Sequence, residues 1–272
     1  MTINKSLIDS FAKSTARAAY GASLFIGKSD KIGADKAAVD EMRKHLNTIN
    51  MSGVVVIGEG ELDEAPMLYI DEKLGTNNGD ELDIAVDPLE GTNFTAKNLP
   101  NALSVIAIAE KKCLLKAPDM YMEKIAIGPG LPNNLIDLDN SVKKNIELLA
   151  EAKNTTPKNL KACILKRERH NHIVESLRSL NVKIKFISDG DVSGVISVAL
   201  PQSEIDIYLG IGGGPEGVLA AAALKCLDCQ MQTRLKFYND KEIQRVKKMG
   251  IKDLNFKYNI NDMVKGDVIF CA

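Results

Sequence analysis

From residue 160 onward, short apolar runs and amphipathic stretches alternate three times, and this rhythm constrains the fold more than any other feature of the sequence. Strands are predicted at 162–165, 183–187 and 205–209, with helices at 170–180, 192–200 and 217–227. The pattern predicts an open, doubly wound α/β layer, in which ligands sit beyond the carboxyl ends of the strands. Those ends carry Lys166-Arg167-Glu168-Arg169, Ser188-Asp189-Gly190-Asp191 and Gly212-Gly213-Gly214-Pro215-Glu216-Gly217.

The first half reads differently. Helices are predicted at 6–25 and 34–46, with a turn at 27–33 between them. An apolar strand at 54–57 is stopped by Gly58-Glu59-Gly60-Glu61. A second, at 82–86, runs into a turn, Asp87-Pro88-Leu89-Glu90-Gly91-Thr92, and a third spans 103–109. This half is α+β, helices packed on a sheet. Residues 150–158 are a polar linker candidate. Two lobes sharing a cleft are expected, 1–135 and 136–272.

Composition narrows the class. With 45% hydrophobic and 26% charged residues in 272, the chain is an ordinary soluble one with room for a sizeable core. A formal net charge of -1 supplies no global field for nucleic acid or an anionic membrane, so any phosphate recognition must be local. The start lacks a secretory signal and the longest apolar stretches are too short to span a bilayer, which predicts a cytoplasmic protein. Five cysteines suggest reduced thiols, and Cys226 and Cys229 fall in a helical pattern as filler. The 3 histidines lack zinc-site spacing, and His170 is expected at the surface where a helix starts.

The chemistry is carried by carboxylates. Glu59 and Glu61 follow the first apolar strand, Asp87 and Glu90 the second. Should the strands be neighbours, four acids converge, an arrangement costly in repulsion unless hard divalent cations such as Mg²⁺ or Mn²⁺ neutralise it. Single acids of this kind usually face water. Here, however, they follow buried strands with Pro to stop pairing and Gly to admit a ligand. Asp63 is a weaker candidate, while Glu64, Asp80, Glu81 and Asp83 are assigned to the surface.

Asp87-Pro88-Leu89-Glu90-Gly91-Thr92 is similar to the D-P-[IL]-[DE]-G-[ST] signature of the lithium-sensitive, metal-dependent phosphatase superfamily. Residues 56–69 and 117–124, with Asp30-Lys31, Ala34-Asp35 and the glycine run at 212–217, resemble the class II fructose-1,6-bisphosphatases over essentially the whole chain. The resemblance implies a layered αβαβα sugar-phosphatase fold and Mn²⁺- or Mg²⁺-dependent hydrolysis of the 1-phosphate of fructose 1,6-bisphosphate. Implied metal ligands are Asp35, Glu59, Asp87, Glu90 and Glu216. Thr92, paired with Asp35, would orient the attacking water, with Glu59 also catalytic. Implied substrate contacts are Lys31, Glu90, Gly91, Thr92, Tyr121, Arg167, Glu168, Arg169, Asp189, Gly190, Asp191 and Gly213. Of these, Arg167 and Arg169 would hold phosphate, and Asp189 and Asp191 would accept from sugar hydroxyls. Asp35 also reads as a helix N-terminal residue. A homodimer or homotetramer is implied, as is a further C-terminal segment beyond the apolar strand at 268–272.

Three alternatives stand beside this reading. One is a related phosphatase acting on sedoheptulose bisphosphate or an inositol phosphate, and another a non-catalytic phosphosugar-binding protein. The third is a dinucleotide enzyme, because the glycine run fits G-x-G-x-x-G. Glu216 and Pro215 oppose it, placing a carboxylate and a missing N–H donor where a pyrophosphate would sit.

Overall fold

A computed structural model describes residues 3–58 and 67–272, which divide into two compact units, 1–117 with 263–272 and 118–262. The cut falls at 117/118 rather than after 135. The strand that follows it pairs only with strands further along the chain, and the last ten residues return to the first unit.

In the first unit, α1 (Ile8–Ser23) and α2 (Lys31–Leu46) lie against each other through small residues. A Cβ on Gly21 would come within 2.5 Å of the Ala37 carbonyl oxygen, so only glycine permits this approach. Asp30 caps α2, accepting from the Gly33 N–H at 2.8 Å, and Arg43, Lys44 and His45 complement the dipole at its far end. Asp35 therefore sits past the first turn and is not the cap.

A five-stranded sheet follows in the order β11-β4-β3-β1-β2. Its strands are β1 (Met51–Ile57), β2 (Lys73–Leu74), β3 (Asp80–Glu90), β4 (Leu103–Glu110) and β11 (Val268–Cys271), and α3 (Thr92–Ala96) continues from β3. β1 runs parallel to β3, as the convergence of their acidic ends requires. β3 does not stop at Val86 as predicted but continues through Asp87-Pro88-Leu89-Glu90. Asp87 faces Val105 and Glu90 faces Leu103, so β3 spends one extra residue there, and this bulge absorbs the proline's missing N–H. Phe11, Met42, Leu46, Met51, Ile84 and Ile106 centre the core.

The second unit is built on a six-stranded sheet, order β10-β9-β5-β8-β6-β7. Along the chain its elements are β5 (Tyr121–Ile127), α4 (Val142–Ala152), β6 (Lys161–Leu165), α5 (Asn171–Ser179), β7 (Lys183–Ile187) and α6 (Asp191–Ile196). They continue with β8 (Ile207–Gly213), α7 (Gly214–Cys226), β9 (Gln230–Leu235), α8 (Asp240–Lys248), β10 (Tyr258–Asn259) and α9 (Ile260–Met263). The three-fold alternation forms the parallel half β8-β6-β7, with β7 at the edge, and antiparallel β5, β9 and β10 extend the sheet from β8. α4, read partly as a linker, is an amphipathic helix whose Ile146 and Leu149 join Ile125, Ile164, Leu177 and Ile207 in the core.

Candidate active site

Each unit positions its own share of the implied site. In the first, the register sets Ile57 opposite Ala85, two residues before Asp87, and β1 has its own irregularity between Val55 and Ile57. Both strands are thus bulged near their acidic ends, a device that re-aims side chains. Glu59, Glu61 and Asp63 lie outside the described residues. Asp87 is half-buried with Oδ1 accepting from the Leu89 N–H at 3.1 Å, and Glu90 is 5% exposed. Gly91 then takes φ 80°, a left-handed turn that starts α3 with Thr92. The loop between α1 and α2 is tied to α3, because Gly27 and Ser29 donate to the Thr95 and Ala96 carbonyls at 3.0 and 2.9 Å. α2, which carries Asp35, packs on α3 and β3.

Asp35 carries the clearest electrostatic signal. Its buried Oδ1 has no hydrogen-bond partner among the described residues, and burial holds its carboxyl above the usual aspartate range. An ionised carboxylate oxygen in that setting is costly unless a cation meets it, so the residue fits a hard divalent ion. Among the described residues, no group of three or more His, Cys, Asp or Glu side chains is arranged to hold a metal by itself. Lys31, the first residue of α2, is exposed.

In the second unit the implied substrate residues lie at the ends of β5, β6, β7 and β8. Arg169 donates from Nε and Nη2 to the Ile211 carbonyl at 3.1 and 2.7 Å, and its guanidinium lies 4.7 Å from the centre of the Tyr121 ring. Tyr238 meets Tyr121 edge-on at 5.7 Å. Arg167 and Glu168 are exposed. Asp189 is half-buried, and Gly190 at φ 82° begins α6. Asp191 was assigned to a sugar hydroxyl, yet it is 7% exposed and already accepts from Lys124 Nζ and the Tyr208 hydroxyl.

The glycine run explains itself through carboxylates. A Cβ on Gly212 would overlap the Asp191 carboxylate, and one on Gly213 would overlap that of Glu216. Close approach of acids, not of a pyrophosphate, demands these glycines. Glu216 stands in the first turn of α7, its carboxyl pushed up by burial against the opposing pull of Lys124.

Two assignments to the surface are corrected. His170 is 0% exposed, with Nδ1 bonded to the Leu165 carbonyl at 2.7 Å and Nε2 accepting from the Ile211 N–H at 2.8 Å. It therefore ties the end of β6 to β8. Asp83, 4% exposed, accepts from the Leu114 N–H at 3.1 Å. Lys124, Tyr208 and Tyr238 were missed. A lysine inside an apolar strand was the available signal for the first, and nothing in the sequence marked the other two.

Hard oxygen ligands offered beside a bulged sheet, with a cationic turn able to receive an anion, are the equipment of a divalent-metal-dependent phosphatase. The chain belongs to one family of these, since the profile described as bacterial fructose-1,6-bisphosphatase, glpX-encoded, matches residues 5–272. It is 43% identical over 284 residues to fructose-1,6-bisphosphatase 1 class 2 of Escherichia coli (strain K12), covering 99% of this chain and 84% of that protein. The class 2 enzyme of Haemophilus influenzae is 40% identical over 284 residues, covering 99% and 85%. No described helix is long and apolar enough to cross a membrane.

Proposed function

We propose that the chain hydrolyses the 1-phosphate of fructose 1,6-bisphosphate to fructose 6-phosphate and phosphate, a step of gluconeogenesis. The bulged end of β3 carries the reading: it offers Asp87 and Glu90 and then, through the left-handed Gly91, Thr92 at the start of a helix. The likeness to class 2 fructose-1,6-bisphosphatases over 99% of this chain supports the substrate.

Asp35, Glu59, Asp87, Glu90 and Glu216 are the proposed ligands of Mn²⁺ or Mg²⁺. When bound, the cation draws charge from the phosphoryl oxygens and makes water a stronger nucleophile. The Thr92 hydroxyl orients the attacking water, and the Asp35 carboxylate accepts its proton. Arg167 and Arg169, with Lys31, hold the phosphate dianions. Arg169 arrives fixed by Ile211 and Tyr121, so little freedom is lost when the anion binds. Glu90, Gly91, Tyr121, Glu168, Asp189, Gly190 and Gly213 complete the sugar contacts. Asp191, held by Lys124 and Tyr208, orders its turn. The cytoplasm is the proposed compartment and a homodimer or homotetramer the proposed assembly.

The test is phosphate release from fructose 1,6-bisphosphate with Mn²⁺, with Mg²⁺ and after chelation. Activity is expected with a cation and none without. Asp87→Asn should fold and lose at least about a hundredfold in kcat, the scale of removing one electrostatic contact to the transition state. A folded Asp87→Asn protein with full metal-dependent release would sink the ligand assignment.

A further inference from the structure

Lys124 is the least expected residue in the second sheet. It stands mid-strand in β5, its side chain 0% exposed, opposite Gly210 of β8. The two-residue period places it on one face with Met122 and Ala126, while Ile125 and Leu209 on the opposite face join the apolar cluster with α4 and α5. Its ammonium donates to Asp191 Oδ2 at the start of α6. Tyr208, also 0% exposed and two residues before Gly210 on the same face, donates its hydroxyl to Asp191 Oδ1. Both carboxylate oxygens are therefore held from below by the sheet.

The surroundings are shaped to this pair. Gly212 leaves room for the Asp191 carboxylate, and a Cβ on Gly217 would come 3.3 Å from Lys124 Cε. Glu216, one residue before Gly217, lies within the electrostatic reach of both members of the pair. A buried ion pair gives little net stability over an apolar pair of the same volume, so stability alone does not explain a lysine here. Three charges share this interior: one ammonium and two carboxylates. Lys124 donates to Asp191, and the remaining pull of its ammonium on Glu216 does not offset the burial that raises the Glu216 carboxyl.

We propose that Lys124 is a positioning residue of the reaction, pinning Asp191 so that the Asp189-Gly190-Asp191 turn is held for substrate and neutralising it so that Glu216 alone offers charge to the cation. The inference rests on the phosphatase reading above and extends it. Without the ammonium, Asp191 and Glu216 face each other as like charges and the turn loses its anchor. Tyr208 serves the same end more weakly, through a hydroxyl that carries no charge.

The experiment measures phosphate release from fructose 1,6-bisphosphate in Mn²⁺ for the wild type, Lys124→Met and Tyr208→Phe, with a thermal melt of each. Tyr208→Phe loses one hydroxyl and should fold. Its KM is expected to rise about tenfold with a smaller change in kcat, the size of a lost hydrogen bond to a charged group. Lys124→Met should lower kcat/KM at least about a hundredfold. A merely structural pair would lower the melting temperature and leave KM alone. A folded Lys124→Met protein within about threefold of wild-type kcat/KM overturns the assignment, as does a folded Tyr208→Phe protein with unchanged KM. Should Lys124→Met not fold, Tyr208→Phe decides. A silent wild type overturns the proposed function and this assignment with it, whereas an active wild type with unaltered variants overturns this assignment alone.

Discussion

Two residues show how burial and charge divide the work in this chain. Asp35 is held above its ordinary pKa by desolvation, so the folded state binds its proton more tightly than the unfolded chain does. Its contribution to stability therefore declines as pH rises above about 4, and the penalty stands in full at neutral pH in the absence of a cation. Asp35→Asn is expected to raise the melting temperature of the chelated protein by a few degrees while removing most activity, readable from paired melts and phosphate assays. His170 behaves in the opposite sense. Burial lowers its pKa, so below about 6.5 the unfolded chain takes up a proton that the folded chain refuses. Stability should fall as pH drops through that window. His170→Ala is expected to lose that part of the slope. It should also cost about 3 kcal/mol by denaturant titration, from a cavity and two backbone groups left unpaired.

Elements place these residues, and some elements were easier to read than others. β3 was visible because four of the five residues before Asp87 are apolar, but its continuation to Glu90 was not, since proline argues against a strand unless a bulge absorbs it. β5 was passed over because Glu123 and Lys124 interrupt its apolar pattern. Their partners, Arg234, Lys236 and Asp191, come from far along the chain, and no local rule announces them. The carboxylates of the site were legible as a motif at strand ends. The groups that hold Asp191 were not, because Lys124 and Tyr208 acquire a common partner only when β5 and β8 pair beneath the start of α6. The β8–α7 junction offers a test at this scale. Gly213→Ala should force the Glu216 carboxylate aside, leaving the melt nearly unchanged but raising the Mn²⁺ concentration for half-maximal phosphate release at least about tenfold.

For the molecule as a whole, the decisive fact is that the first unit takes a strand from residues that follow the second unit. β11 pairs along β4 from Ala109 to Ile106, and Leu115 and Lys265 add backbone bonds with Met263 and Cys113 at 2.7 Å. Removing residues 263–272 would bare an apolar edge strand, and the shortened protein is expected to aggregate and to lose its cooperative melt, as light scattering and calorimetry would show. The same pairing orders events during synthesis. The ribosome makes β4 early, then all of 118–262, before it supplies the strand that pairs with β4. At ordinary elongation rates that delay is on the order of ten seconds or more, during which the nascent edge stays open to chaperones and to neighbouring chains.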